Sequence, residues 1–254
     1  WALGKDPRLG LFSFLLVWDF NLSWGFVAYH CGVGLVFWAL AALVRANYWK
    51  DLFKVIPIFM LAALTHAQSY GILVLACVFL GLALGDFKRR LPLFVSSLFL
   101  GGAPLLPWLW VRATSGGGKG VPNLWARFHG AGEKLKKVFE YTLDILPEKT
   151  NPHLPGLVLL FFFVAVLILL MVPQKRDRAP VLVGPALFLL GLFLYFAMPH
   201  ALLWPIEQWL IYDRHATFLL ITLLFLPDAF WDTGRNLLLG AALLLHFVWM
   251  GTLY

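Results

Sequence analysis

The chain has 254 residues, of which 61% are hydrophobic and 13% are charged. A soluble domain of this length needs far more charge to cover its surface, so apolar side chains must face lipid as well as a core. The net charge of +7 comes from basic residues dispersed over short loops. Anionic lipid and insertion topology explain that dispersion better than a nucleic-acid surface does, and we expect no nucleic-acid partner.

The apolar runs are continuous and rich in Leu and Phe, which argues against the alternating pattern of a membrane β-barrel. They predict an all-α fold, a polytopic transmembrane bundle of about eight membrane helices that includes a short helical hairpin. Residues 1–254 form one transmembrane domain in this interpretation. Because the sequence starts at Trp1 and stops within an apolar run at Tyr254, we expect it to be an excerpt of a longer chain.

The first two apolar runs set the topology. Residues 22–44 predict a spanning helix, with Gly25, Ala28 and Gly32 on one side for close helix approach. Residues 53–84 are too long for one crossing and divide at THAQSYG into two short helices with a polar tip. A hairpin places the basic loops around Arg45 and Lys88 on the same, cytoplasmic side, as positive-inside orientation requires.

Residues 91–111 predict the next crossing, and an extracytoplasmic loop of residues 112–155 follows. Its first part, RATSGGGKG, is favoured as a linker over a phosphate loop, because no strand precedes it and no Ser or Thr follows Lys119. Its second part, EKLKKVFEYTLDIL, predicts an amphipathic helix in the outer headgroup layer. Leu135, Phe139, Leu143 and Leu146 form its apolar stripe, and Lys134, Lys137, Glu140 and Asp144 point largely elsewhere.

The remaining apolar runs predict helices at residues 156–172, 181–199, 216–227 and 237–254. The resulting topology is that of a multi-pass protein of the bacterial inner membrane. Its short basic loops face the cytoplasm, and the N-terminal end faces the other side of the membrane.

Seven polar residues share the predicted extracytoplasmic face. As a substrate-binding or lipid-phosphate-binding set we take Asn21, His66, Arg214 and His215, and as candidate catalytic carboxylates Asp19, Glu207 and Asp213. Ionisable groups at membrane depth are costly, by about 3 kcal/mol on insertion scales, and need a partner or a role. Structural alternatives stay open: Arg214 as a snorkelling anchor paired with Asp213 or Glu207, His66 as a hydrogen-bonded hairpin tip, and Asp19 and Asn21 as helix caps.

The sequence carries no metal-ligand motif and no haem or chlorophyll signature. Cys31 and Cys77 lie within apolar runs, without the paired spacing of a zinc site or a disulfide framework. His30 and His246 lie within predicted spanning helices, where an interhelical hydrogen bond is the default and cofactor ligation the alternative.

Three stretches in this order resemble bacterial polytopic glycosyltransferases of the GT-C superfamily: NLSWGFVAYHCGVGL, LTHAQSYGILVLA and IYDRHATFLLITLLFLP. The resemblance spans most of the chain. It implies sugar transfer from a polyprenyl-phosphate donor on the extracytoplasmic side, with Asn21 and His66 at the rim of the active site and Arg214 near the lipid phosphate. The family's acidic motif, a base or a ligand of a divalent metal, would precede Trp1, so the resemblance does not assign its role to Asp19.

Two other function classes stay open beside a lipid-linked sugar transferase. One is a non-catalytic accessory subunit of a larger respiratory or photosynthetic membrane complex, whose aromatic faces contact other membrane subunits and lipids. The other is a transporter, although the predicted helix breaks cluster at the outer surface rather than at a midplane cavity.

Overall fold

A computed structural model describes residues 7–16, 26–84, 87–114, 126–143, 153–171, 182–202, 208–226 and 233–253. These residues are mostly helical. The α-helices are α1 (Val27–Arg45), α2 (Leu52–Thr65), α3 (Ala67–Ala83), α4 (Phe87–Gly102), α5 (Leu105–Thr114), α6 (Ala131–Leu143), α7 (His153–Met171), α8 (Val183–Ala197), α9 (His215–Leu223) and α10 (Thr233–Leu253). Two 3-10 helices occupy Pro7–Leu16 and Trp49–Asp51.

A helix lies in each of the eight segments for which the apolar runs predicted one. Among the described residues, α1 is long and apolar enough to cross a bilayer, and the bent pair α4–α5 adds a second candidate if it counts as one span. The helical class is therefore confirmed. A bundle of eight membrane helices is not established by this criterion.

The predicted break in the second apolar run is confirmed at His66, whose extended backbone separates α2 from α3. The two basic loops also lie together, as the charge pattern predicted. The Arg90 guanidinium donates from Nη1 to the carbonyls of Val44 (2.7 Å) and Ala46 (3.2 Å), and from Nη2 to the side chain of Asn47 (3.2 Å). Arg90 thereby satisfies carbonyls at the C-terminus of α1. The start of α4 therefore lies beside the loop that joins α1 to α2.

The run that we expected to form one helix over residues 91–111 is two helices, α4 and α5, bent by 57°. Pro104 explains the break, because it has no N–H to donate and disfavours helical backbone at the preceding residue. Gly101 and Gly102 permit close packing beside the bend. A Cβ at Gly101 would overlap the Phe59 side chain, and one at Gly102 would lie 2.6 Å from the Tyr70 hydroxyl.

Helix α9 lies between two hydrophobic cores. One core contains α1, α2, α3 and α8 together with Phe218 of α9, and the other contains the Pro7–Leu16 helix, α7 and α10 together with Leu220. Residues from His215 to Leu220 are all buried, as expected of a helix that is covered on every side. This central position fixes the N-terminus of α9, where Arg214 and His215 lie.

A small antiparallel sheet and the amphipathic helix cover that end of α9. The strands β1 (Ala126–Arg127), β2 (Ala201–Leu202) and β3 (Gln208–Trp209) pair in the order β1-β2-β3. Helix α6 covers most of the predicted amphipathic segment, and Leu135 of its stripe is 60% exposed. Lys134 departs from the expected polar surface, because it is fully buried against α8.

Candidate functional site

Five side chains from three distant segments meet where α1, α3 and α9 begin. Tyr29 comes from the first turn of α1, His66 and Gln68 come from the break before α3, and Arg214 and His215 begin α9. We call these five residues the polar layer. The close approach of α1 and α3 depends on Gly32, where a Cβ would overlap Ser69, and the Ser69 hydroxyl donates to the carbonyl of Tyr29 at 3.3 Å.

Hydrogen bonds run through the polar layer. The Tyr29 hydroxyl lies 2.7 Å from His215 Nδ1, and His215 Nε2 lies 3.2 Å from Gln68 Nε2. The Gln68 amide also donates to the carbonyl of Ile211 at 2.9 Å and accepts from Arg214 Nη1 at 3.2 Å. A continuous chain of hydrogen bonds therefore runs from Tyr29 through His215 and Gln68 to Arg214.

This network assigns the donors and acceptors. Because Arg214 only donates, it must bond to the Gln68 oxygen, and the Gln68 nitrogen therefore donates to His215 Nε2. His215 is then neutral, carries its hydrogen on Nδ1 and donates it to Tyr29. The Tyr29 hydroxyl consequently accepts from His215 and donates its own hydrogen in another direction.

His66 caps the N-terminus of α3, because its Nδ1 accepts from the backbone N–H of Gln68 at 3.2 Å. Burial, followed by the nearby Arg214 charge, lowers the pKa of His66 to about 4. His66 Nε2 lies 3.4 Å from Arg214 Nη1, so the cap of α3 and the guanidinium are in direct contact.

Arg214 is held by packing as well as by hydrogen bonds. Its guanidinium carbon lies 3.9 Å from the centre of the Phe26 ring, within the range of a cation–π contact. Burial lowers the pKa of Arg214, but an arginine keeps its charge throughout the physiological range. The polar layer therefore holds a permanent, half-buried cation.

A groove runs between α1 and α9 from the polar layer, with a volume of about 200 Å³. Tyr29, His30, Arg214 and Thr217 line its polar end, together with Ser13 of the first 3-10 helix. Its other walls are apolar and are formed by Val33, Gly34, Phe37, Phe218 and Ile221. The lining residues follow helical spacing on both helices, so the groove extends along them for about two turns.

A second groove of about 390 Å³ lies on the other side of the polar layer, between α3 and α8. Gln68 and His215 form its polar end. The rest of its lining is apolar and consists of Gly71, Ile72, Leu75, Phe128, Leu194, Met198, Pro199, Leu202 and Ile211. Because Tyr29 of the first groove bonds directly to His215 of the second, only one layer of side chains separates the two grooves.

Asp213 belongs to a different cluster from its neighbour Arg214. Its carboxylate is fully buried and lies 2.8 Å from His200 Nδ1. The His200 ring stacks on His129 with centroids 4.5 Å apart, and His129 Nδ1 lies 2.8 Å from the Tyr212 hydroxyl. Desolvation is the largest cause of the lowered pKa of His129. This His129–His200 cluster ties β1 to the segment that precedes α9.

Leu210 sets the direction of that segment with a φ of 56°, a backbone conformation that favours glycine. The strained residue places Ile211 so that its N–H donates to the carbonyl of His200 at 3.0 Å while its carbonyl accepts from Gln68. Ile211 therefore connects the His129–His200 cluster to the polar layer. Strain at such a position is typical of functional segments.

The structure brings together three of the residues that the sequence singled out, His66, Arg214 and His215. It places Asp213 against His200 instead. Asp19, Asn21 and Glu207, together with the SGGGKG segment, lie outside the described residues.

Three residues of these clusters were not singled out from the sequence: Tyr29, His129 and His200. Gln68 was recognised only as part of the polar tip. The signal available for Tyr29 was its hydroxyl group, which lies within the apolar run of residues 22–44.

Within the described ranges, no three His, Cys, Asp or Glu side chains converge on a point where they could hold a metal ion. Comparison of the chain with protein-family models, with curated proteins and with solved structures returned no match.

Proposed function

We propose that this protein is a bacterial inner-membrane protein that binds a polyprenyl phosphate in the α1–α9 groove, as a lipid-linked sugar transferase of the GT-C type would. The groove itself is the observation that carries the proposal. A permanent cation lies at one end and aromatic and aliphatic walls follow, which matches an anionic head and the first part of the hydrocarbon chain attached to it.

The polar end of the groove supplies donors for a phosphate. Arg214 offers a charged fork, and the Tyr29 hydroxyl lies at the same end of the groove. A phosphate has acceptor oxygens that could form charge-assisted hydrogen bonds with this guanidinium.

The apolar end of the groove suits a prenyl chain. Phe37 stacks on Phe218 and on Phe225, with centroids 5.5 Å and 5.2 Å apart. The stack forms a rigid wall, while Gly34 leaves space: a Cβ at this position would meet no atom within 4 Å. A chain that enters between the helices would bury apolar surface at about 25 cal/mol per Å².

Large apolar side chains exposed over several helices support the membrane location. Phe53 is 86% exposed, Phe99 78% and Trp110 72%. Such surfaces are unfavourable in water and favourable in lipid. In the proposed topology the basic loops joined by Arg90 face the cytoplasm, and the polar layer and α6 lie on the extracytoplasmic side.

In a transfer reaction, Arg214 would stabilise the negative charge that develops on the departing phosphate. The candidate bases differ in their availability. The Asp213 carboxylate is bonded to His200 and does not line the groove. Asp19 and Glu207 remain candidates by sequence.

The proposal is tested by native mass spectrometry of the purified protein with added undecaprenyl phosphate. Arg214→Gln removes a charged contact of about 1.5–3 kcal/mol and should weaken binding roughly ten- to a hundredfold. Arg214→Lys should recover only part of the affinity, because it keeps the charge but loses the fork. Gly34→Leu should block the chain while leaving Arg214 in place.

Gly240→Leu is the matched control, because Gly240 also lies within a helix and a Cβ there meets no atom within 4 Å. It should bind undecaprenyl phosphate like the wild type. Equal occupancy in the wild type, Arg214→Gln and Gly34→Leu would contradict the proposal. An accessory subunit whose exposed aromatic residues pack against other membrane proteins would then be the better interpretation.

A further inference from the structure

We propose that His30 is the second residue that binds the phosphate in the α1–α9 groove, and that its protonated ring pairs with the second negative charge of a phosphate monoester. The inference rests on the proposed function, because it concerns the same ligand in the same site. It adds a specificity. The groove would prefer a lipid with a monoester head to a lipid with a singly charged diester head.

Helical spacing places His30 on the side of α1 that forms the groove. The groove residues recur at positions i, i+4 and i+7 of both helices: His30, Gly34 and Phe37 on α1, and Arg214, Phe218 and Ile221 on α9. This is the spacing of residues that share one side of a helix. His30 is the first of the three on α1, as Arg214 is on α9, and both lie before the apolar walls.

The register of the two helices brings His30 to the level of the start of α9. The Tyr29 hydroxyl lies 2.7 Å from His215 Nδ1, in the first turn of each helix. Further along, Phe37 stacks on Phe218 with ring centroids 5.5 Å apart. The two helices therefore run in the same direction. Because His30 lies two turns before Phe37, it belongs to the polar end of the groove.

The charge of a phosphate monoester exceeds what Arg214 alone can balance. Such a group carries about 1.5 to 2 negative charges at pH 7. Arg214 supplies one positive charge, and no other arginine, lysine or acid is among the described residues that line the groove. Histidine is the side chain that changes its charge between about pH 5 and 8, and a nearby anion favours its charged form. Bound phosphate should therefore draw a proton onto the half-buried His30 ring.

The neighbouring titratable groups keep one charge state in this range. Tyr29 is a phenol, a group that titrates near about pH 10, and Arg214 stays charged. The His215 ring is neutral in its hydrogen-bond network. Burial, followed by the Arg214 charge, lowers the pKa of His66 to about 4. A change of affinity between about pH 5.5 and 8.5 should therefore come from His30 and from the lipid phosphate itself.

The test measures the Kd of undecaprenyl phosphate for the intact protein by native mass spectrometry between about pH 5.5 and 8.5. His30→Gln keeps a polar side chain that cannot take up a proton. Dividing its Kd by that of the wild type removes the titration of the lipid phosphate, because both proteins bind the same ligand. We expect a ratio of at least about ten at the acidic end, which falls towards 1 as the pH rises.

Three comparisons identify the charge as the cause. His30→Lys keeps a cation and should bind undecaprenyl phosphate at the alkaline end at least as tightly as the wild type. Phosphatidylglycerol has a diester head with one negative charge, so His30→Gln should weaken its binding less than that of undecaprenyl phosphate. His246→Gln is the matched control, because α10 contributes none of the described residues that line the groove. It should bind like the wild type at every pH.

The outcomes separate this inference from the proposed function. If Arg214→Gln weakens binding but the ratio for His30→Gln does not change with pH, the inference is wrong and the proposed function stands. A lower melting temperature of His30→Gln would then indicate the interhelical hydrogen bond that the sequence left open. Equal losses for both lipids, or a His30→Lys variant that binds like His30→Gln, would also overturn the inference. If neither Arg214→Gln nor His30→Gln changes binding, both proposals are wrong.

Discussion

Replacing Lys134 should release the amphipathic helix from the rest of the protein. The Lys134 ammonium is fully buried and donates to the carbonyls of Tyr195 (3.3 Å), Phe196 (3.0 Å) and Met198 (2.6 Å) at the C-terminus of α8. It also lies 4.3 Å from the centre of the Tyr212 ring. These carbonyls carry the negative end of the helix dipole, so the lysine completes the end of α8 while it anchors α6.

The loss in Lys134→Met follows from these contacts. A hydrogen bond to a charged group contributes about 1.5–3 kcal/mol, but three acceptors share one ammonium, and its dehydration offsets part of the gain. Methionine keeps the apolar stem and leaves the carbonyls without their donor. We expect the free energy of unfolding to fall by about 2–4 kcal/mol, and the melting temperature by at least about 4 °C.

Thermal unfolding in detergent measures the global effect, and hydrogen exchange over residues 131–143 measures the release of α6. Lys136→Met is the control, because Lys136 is exposed on the same helix. It should change the melting temperature little. If Lys134→Met and Lys136→Met unfold and exchange alike, Lys134 does not anchor α6, and our account of its burial is wrong.

Three further predictions follow from the fold. In a cysteine-free background, a cysteine at Gly132 should react with an impermeant thiol reagent from outside intact cells and one at Lys88 should not; the reverse pattern would overturn the orientation. Because the pKa of His66 is lowered to about 4 in the folded state, stability is full above pH 6.5 and should fall from there towards pH 4. His66→Asn should keep the cap with a flatter pH profile, and equal profiles would contradict this. A spin label at Leu135 should report lipid and one at Glu133 water, whereas water at both would reject an interfacial α6.

The helical class and the positions of the breaks could be predicted from local sequence. In an apolar environment, a run of about 20 apolar residues must form a helix so that its backbone groups are hydrogen-bonded. THAQSYG interrupts such a run with side chains that can bond to backbone groups. The charge pattern also predicted that the loop of Arg45 and the loop of Lys88 lie together, and Arg90 confirms it through its bonds to Val44 and Ala46.

The polar layer could be predicted only in part, because its partners are far apart in sequence. Tyr29 and His215 are separated by 186 residues, and no periodicity indicates which helices pack together. Lys134 illustrates the same limit. Its position in the sequence predicts the polar face of α6. The side chain is buried because it meets the carbonyls at the end of α8. Asp213 and Arg214 are neighbours whose side chains enter different clusters, which only the tertiary packing decides.

The packing of Arg214 bears on the two roles that the sequence left open for it. A snorkelling anchor extends its guanidinium into water or headgroups, where burial does not lower its pKa. Arg214 instead lies over the Phe26 ring in the wall of a groove, and burial does lower its pKa. Beside it, His66 Nε2 lies 3.4 Å from the same guanidinium. Arg214 is therefore packed into the wall of a groove rather than extended into water, and the anionic head proposed for that groove would meet a half-buried cation.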